Sequence, residues 1–166
     1  MIDATEGDST NTSMRKVFIA ARHGSHGEKW NLNEEGVLQM NVLAAAVVEI
    51  SRLCDLRVSL LCSTAPRAQQ GARIIAQTLK VQDRRIVADD CFWVEKYHNF
   101  PKIYATIDPV LQEGTLVVLI THLPAIQNVS RYVMRKFLQG ADDFNIPLVG
   151  HGEGFMVSPD GVCLIP

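Results

Sequence analysis

The sequence has little net charge and no long apolar run, and each absence excludes a class of protein. Sixteen basic side chains against eighteen acidic ones leave a formal charge of −2. There is therefore no overall positive field to attract nucleic acid or an anionic membrane. Charged residues interrupt every apolar stretch before the roughly 18 residues that a membrane span needs. We expect no nucleic-acid or membrane partner, and any site for an anion must be local.

Cysteine is also scarce, with four residues in a chain of 166. No two of them form a C-x-x-C pair, and Cys54 and Cys62 lie in apolar segments, which is typical of free thiols in a reducing compartment. The first residues, MIDATEGDSTNTS, have neither the basic start nor the apolar stretch of a secretory signal. We therefore predict a cytoplasmic protein. Residues 1–14 are expected to form a disordered polar tail, and residues 15–166 a single domain, because this length suits one core.

After the tail, short apolar runs alternate with amphipathic segments. Strands are predicted over residues 16–21, 57–62, 84–88 and 115–121. Helices are predicted from about residue 33 to 53, 67 to 79, 101 to 112 and 124 to 140, and a cap and an early proline in Ser63-Thr64-Ala65-Pro66 are expected to open the second of them. Two last apolar runs flank the turn Pro159-Asp160-Gly161 and predict a hairpin. The pattern predicts an α/β three-layer sandwich, with a mainly parallel central sheet flanked by helices and an antiparallel hairpin at the C-terminal end.

Polar side chains follow three of the predicted strands. Arg22 and His23 follow the first, Ser63 and Arg67 the second, and His122 the strong strand that ends at residue 121. Ligands bind outside the carboxyl ends of the strands in such sheets. Arginine holds phosphate oxygens with a planar fork of donors, and histidine can act as a nucleophile or as a donor. The pattern is typical of a phosphoryl site, with ordinary solvent-facing side chains as an equal alternative.

The motifs taken together resemble those of the histidine phosphatase superfamily, which includes cofactor-dependent phosphoglycerate mutases, acid phosphatases and small phosphohistidine phosphatases. They are spread over residues 17–158 in the family's order: Arg22-His23-Gly24, Leu32 with Glu34-Glu35-Gly36, Ser63-x-x-x-Arg67-Ala68, and Thr121-His122. The chain lacks the long insertions that shape the mutase pocket. The resemblance therefore favours a phosphatase with a phosphoglycerate mutase-like fold.

The resemblance implies metal-independent hydrolysis of a phosphomonoester or of protein phosphohistidine, through a phosphohistidine intermediate on His23. Arg22, Arg67 and His122 would bind the phosphate oxygens and stabilise the charge in transit, so no metal or other cofactor is expected. The substrate would be a phosphorylated small molecule or a phosphoprotein. A mutase-like phosphoryl transferase and a non-catalytic phosphate-recognising module are the alternatives. The oligomeric state stays open.

The resemblance also suggests a general acid. Glu95 falls where larger members have an acidic residue that protonates the leaving oxygen, and a solvated loop charge is an equal alternative. The small phosphohistidine phosphatases lack such a residue, because an imidazole leaving group takes a proton more readily than an alkoxide. Lesser candidates for the acid are Glu28, Asp89, Asp90 and Glu153.

Two further residues, Asn31 and His26, complete the predicted binding set. Asn31 lies further from Arg22-His23-Gly24 than its counterpart in the mutases, and His26 has a flexible loop position as its alternative interpretation. His151 stands in a glycine-rich segment before the hairpin and is interpreted as a turn residue. The histidines show neither an H-E-x-x-H motif nor a cysteine at ligand spacing, so no metal site is predicted.

Overall fold

The computed structural model describes residues 15–82, 85–93, 99–138 and 146–166. Its strands are β1 (Val17–Arg22), β2 (Arg57–Cys62), β3 (Ile86–Ala88), β4 (Thr115–Thr121), β5 (Gly154–Ser158) and β6 (Gly161–Ile165). They form one mixed sheet in the order β3-β2-β4-β1-β5-β6. The first four strands run parallel, and β5 and β6 add the predicted antiparallel hairpin beside β1.

Helices cover both faces of this sheet. They are α1 (Glu34–Leu53), α2 (Pro66–Thr78), α3 (Phe100–Ile107) and α4 (Leu123–Phe137), with a short 3-10 helix at Asp90–Phe92. Successive residues of β1 point to opposite faces. Ile19 packs with buried residues of α1 and α2, and Phe18 with those of α3 and α4. The central strands are therefore buried on both sides, which confirms the predicted three-layer α/β sandwich.

Helix ends depart from the predictions for local reasons. α1 begins as predicted, because the Asn33 side chain accepts a 2.8 Å hydrogen bond from the Gly36 amide. α3 ends at Ile107 rather than at residue 112, because Pro109 has no N–H to continue the helical bonding. α2 has Ala65 as its N-cap without a side-chain hydrogen bond, so the serine-threonine cap expected there is wrong. The predicted tail, residues 1–14, lies outside the described residues.

Within the described ranges, one helix is long and apolar enough to span a bilayer by length and composition alone, which the sequence analysis did not predict. It is α1, which has 20 residues. Met40, Leu43 and Val47 are fully buried on one side of it, while Leu38 on the other side stays exposed. This one-sided burial is what a helix packed against a sheet requires.

The sheet order brings the ends of three strands together. β4 lies between β1 and β2, and Arg22 pairs with Thr121 while Cys62 pairs with Ile120. The residues that follow these strands therefore leave the sheet at the same edge and at nearly the same height.

Candidate active site

The loop after β1 passes unusually close to the start of α1, and two glycines make this possible. A Cβ on Gly24 would lie 2.3 Å from the Gly36 carbonyl oxygen, and one on Gly36 would lie 1.9 Å from the Ser25 carbonyl oxygen. No other residue type fits either position without displacing the backbone. The contact holds His23 against the carboxyl edge of the sheet.

His23 is held as a neutral ring with one nitrogen available for chemistry. The side chain is 3% exposed, and its Nδ1 lies 2.8 Å from the Gly24 carbonyl oxygen. Because a carbonyl only accepts, Nδ1 carries the proton and Nε2 carries the lone pair. Nε2 accepts a 2.8 Å hydrogen bond from Nε of Arg67. The nitrogen that carries the lone pair therefore faces the cation expected to bind the phosphate.

Arg67 links His23 to the second histidine. Its side chain is 1% exposed, and its Nη2 lies 3.2 Å from Nδ1 of His122. A guanidinium only donates, so Nδ1 of His122 accepts and Nε2–H of the same ring donates to Ser63 Oγ at 2.9 Å. The two imidazole centroids are 5.0 Å apart. Ser63 therefore orients His122, a role that the sequence analysis did not assign although the serine belongs to its second motif.

Burial keeps both histidines neutral. Desolvation lowers the pKa of His23 from 6.5 to about 2, against the opposing hydrogen bond to Gly24, and the charge of Arg67 lowers it further. Desolvation, with the charges of Arg67 and Arg22, lowers the pKa of His122 to about 3. Neutral His23 suits a nucleophile. A bound phosphate dianion would offset the arginine charges and favour a protonated His122.

The low pKa values predict that the folded state loses stability in acid. Unfolded histidine has a pKa near 6.5, so between that pH and about pH 3 the unfolded chain binds more protons than the folded one. The free energy of unfolding should fall as the pH drops below 6.5, by up to about 1.4 kcal/mol per pH unit for each ring. Urea denaturation at pH 7.5, 6.0 and 5.0 measures this slope.

His122→Asn should reduce that slope, and His26→Asn is the matched control because the His26 ring is more exposed. An unchanged slope in His122→Asn would show that His122 already accepts a proton in the folded chain.

Three residues complete the edge around His23. Arg22 lies with its Nη1 3.5 Å from the Val149 carbonyl oxygen, and its charge lowers the pKa of both His122 and His151. The ring centroids of His26 and His151 lie 5.4 and 5.6 Å from that of His23. The structure thus brings together Arg22, His23, His26, Arg67 and His122, five of the residues that the sequence offered as candidates. It adds His151, which was interpreted from the sequence as a turn residue. The pairing of β5 with β1 brings this ring beside His23.

Trp30 forms part of the rim of the site. Its ring lies 5.0 Å from Arg67 Cζ and stacks on His26 at 5.6 Å, although its side chain is 55% exposed. Trp30 adopts a φ of 60°, a backbone conformation that is strained for a bulky side chain. Residues held in such conformations are often found at functional sites. The predicted ligand Asn31 instead accepts a 3.1 Å hydrogen bond from Gln70, so the structure places it as a link between this loop and α2.

The described carboxyl candidates for a general acid lack the environment of a proton donor. Glu95 is outside the described residues, and its role stays a prediction. The carboxylate of Asp89 accepts a hydrogen bond from the backbone amide of Cys91. This hydrogen bond is the main cause that lowers the pKa of Asp89. An acid that stays ionised is a poor proton donor. Glu28 and Asp90 are exposed at the surface.

The site suits an anion, since the guanidinium of Arg67 lies between His23 and His122 and the charge of Arg22 acts on His122. Within residues 15–82, 85–93, 99–138 and 146–166, no three His, Cys, Asp or Glu side chains are arranged to hold a metal ion. A separate cleft of about 560 Å³ lies near the opposite edge of the sheet, where Arg57 and Arg85 line it. Its lining includes none of the residues around His23.

The fold is similar to those of solved structures described as phosphatases and as a phosphoglycerate mutase. No protein-family model matches the chain, and a sequence search of curated proteins gives no match either. The likeness is structural. It confirms the fold that the sequence motifs predicted.

Three solved structures illustrate the likeness. A mycobacterial glucosyl-3-phosphoglycerate phosphatase complexed with VO3 has a TM-score of 0.62 and 13% identity, over 90% of this chain and 96% of that one. The protein histidine phosphatase SixA complexed with tungstate has a TM-score of 0.61 and 14% identity, over 89% and 93%. The phosphoglycerate mutase from Plasmodium falciparum has a TM-score of 0.55 and 21% identity, over 92% and 90%.

Proposed function

We propose that this chain is a phosphatase that works through a phosphohistidine intermediate on His23. The observation that carries the proposal is the orientation of that ring. Its Nδ1–H is bonded to the Gly24 carbonyl, and its Nε2 lone pair faces Arg67 at 2.8 Å. A neutral imidazole whose free nitrogen meets a buried guanidinium is arranged to attack a phosphorus atom held by that guanidinium.

In the first step, Nε2 of His23 forms a bond to phosphorus and the bond to the leaving oxygen breaks. Negative charge spreads over the three other oxygens of the phosphoryl group, where Arg22, Arg67 and His122 would stabilise it. The guanidinium of Arg67 would exchange its hydrogen bonds with the two rings for bonds to the phosphate. His122 would gain a proton as the anion offsets the neighbouring charges.

In the second step, water attacks phosphorus and the N–P bond to His23 breaks. The products are inorganic phosphate and the free neutral ring. Arginines and a protonated imidazole supply the positive charge throughout, so we propose that the reaction needs no metal ion.

The substrate is proposed to be a phosphomonoester or a protein phosphohistidine. The support is the short chain, together with structural neighbours that are described as a protein histidine phosphatase and as a glucosyl-3-phosphoglycerate phosphatase. The neighbours bound to tungstate and VO3 are consistent with an oxyanion pocket in this fold.

Turnover in the presence of a chelator tests the proposal. The full chain is incubated with 4-nitrophenyl phosphate and with a phosphohistidine peptide, with and without EDTA, and released phosphate is measured. We expect hydrolysis of at least one substrate at a rate that EDTA leaves unchanged. Loss of activity with EDTA would contradict the metal-independent mechanism. No hydrolysis of either substrate, with vanadate binding intact, would instead indicate a phosphate-recognising module.

A further inference from the structure

We propose that His151 is the general acid of this site, protonating the leaving oxygen in the first step and taking a proton from water in the second. The inference rests on the proposed phosphatase function. It replaces an interpretation of His151 as a mere turn residue, and it assigns to an imidazole a role that the sequence resemblance gave to a carboxyl group.

The geometry that supports this is a triangle of imidazole rings. The centroids of His23 and His151 are 5.6 Å apart, those of His23 and His26 are 5.4 Å apart, and those of His26 and His151 are 6.1 Å apart. In-line transfer places the leaving oxygen on the far side of phosphorus from the nucleophile. With its centroid 5.6 Å from that of His23, the His151 ring would reach that oxygen on the other side of a phosphoryl group bonded to His23.

Backbone contacts fix His151 relative to the nucleophile. The amide of Gly152 lies 3.2 Å from the Arg22 carbonyl oxygen and 3.3 Å from that of His23. Gly152 has a φ of +77°, and a Cβ there would lie 2.6 Å from Gln39 Cβ. Only glycine permits this close turn. The residue after His151 is thus bonded to the backbone of the nucleophile itself.

A carboxylate closes the same turn from the other side. The amide of Gly150 donates a 2.6 Å hydrogen bond to Oε2 of Glu153, and the Glu153 carbonyl oxygen accepts from the Arg22 amide at 2.9 Å. His151 therefore stands between two anchored residues. Glu153, a lesser candidate for the acid, serves here as a positioning residue.

His26 is the other ring within reach and is less suited to the role. It stacks on exposed Trp30, and the backbone bonds recorded for its loop run within the loop and to α1 and α2, whereas the segment of His151 is bonded to the Arg22 and His23 carbonyls. A general acid must stay within hydrogen-bond reach of the leaving oxygen at the moment of transfer. The anchored ring meets this condition better.

The proton balance closes over one cycle. In the first step, the P–O bond breaks, a ring N–H of the His151 imidazolium gives its proton to the leaving oxygen, and an alcohol departs. In the second step, neutral His151 takes a proton from the attacking water while the oxygen of that water forms a bond to phosphorus. The His23 N–P bond breaks, and the imidazolium is regenerated.

The charged form of His151 depends on the substrate. Burial lowers the pKa of this ring in the unliganded site, and the charge of Arg22 lowers it further, with a smaller opposing contribution from Glu35. A bound phosphate dianion would offset the charges of Arg22 and Arg67 and favour the protonated ring. The ring is half-buried and open to solvent, so it can take up a proton as the substrate binds.

Leaving-group dependence tests the inference. His151→Gln and His26→Gln are assayed on 4-nitrophenyl phosphate, whose leaving group departs without a proton, and on 2-glycerophosphate, whose alkoxide needs one. His151→Gln should lower kcat on 2-glycerophosphate by about 10²-fold or more, as expected for loss of a general acid, and should change kcat on the aryl ester much less. His26→Gln, the matched imidazole, should affect both substrates by a similar factor.

Each other outcome overturns the assignment. Equal losses on both substrates, or none, would give His151 a structural role. A selective loss in Glu95→Gln with normal His151→Gln would assign the acid to the carboxyl group. A wild-type chain that cleaves only the aryl ester would lack a general acid, whereas one that cleaves neither ester nor the phosphohistidine peptide would contradict the proposed function itself. Thermal unfolding of both variants separates loss of folding from loss of chemistry.

Discussion

His23→Asn is expected to abolish turnover of 4-nitrophenyl phosphate, lowering kcat by a factor on the order of 10⁴ to 10⁶, as for other lost nucleophiles. The carboxamide cannot form the N–P bond. The shorter side chain does not reach the position of His23 Nε2, so Arg67 Nε loses the hydrogen bond that this nitrogen now accepts, and some loss of stability is expected beside the loss of turnover. Steady-state assays, with thermal unfolding to check the fold, measure both effects.

Trapping the intermediate gives a second measurement of the same residue. Wild-type protein quenched during turnover of a radiolabelled substrate should carry one label, stable in alkali and labile in acid as a phosphohistidine is. His23→Asn should carry none, and the matched variant His26→Asn should still be labelled. Label retained in His23→Asn would move the nucleophile to another histidine, with His26 and His151 as the nearest rings.

Arg67→Lys should lower kcat/KM by a factor of about 10² to 10³ although the positive charge is kept. Loss of one preorganised donor to a developing oxyanion has an effect of this size, and a lysine cannot reproduce the planar fork that reaches both rings. Arg73→Lys is the matched control, because that side chain lies on the exposed face of the same helix and should leave kcat/KM unchanged. A normal rate in Arg67→Lys would show that the site needs only a point charge.

Arg67→Gln separates charge from geometry at the same position. Removing the charge should raise the pKa values of His23 and His122, but only in part, because burial is the first cause of both shifts. NMR titration of the two rings measures the change, and in Arg67→Lys both values should stay low. Ring pKa values that do not move in Arg67→Gln would show that the charge of Arg67 does not contribute to the two shifts.

Local chemistry explains why most elements were predictable. β4 is a continuous run of apolar and β-branched residues, which is the pattern of a strand buried on both faces. The start of α1 follows from the oxygen of Asn33 and the acidic residues after it. The end of α3 was missed, although Pro109 marks it, because apolar periodicity continues to residue 111.

Some residues of the candidate site were likewise predictable from the sequence, and others were not. His23, Arg67 and His122 were predictable because each follows a strand and the order of a parallel sheet places strand ends together. Ser63 was expected to cap α2, and its hydroxyl instead meets His122. His151 could not be found from local pattern, because its distance to His23 depends on an antiparallel pairing between β1 and β5.

Taken by itself, the sequence determined the layered α/β class, the main strands and the identity of the central arginine and histidine pairs, since these follow from periodicity and motifs within a few residues. Only the tertiary structure decided which ring nitrogen of His23 is free, how Arg67 bridges two neutral rings, and that His151 joins them. Hydrogen-bond direction, burial and pKa depend on neighbours brought from distant parts of the chain. No short segment contains that information.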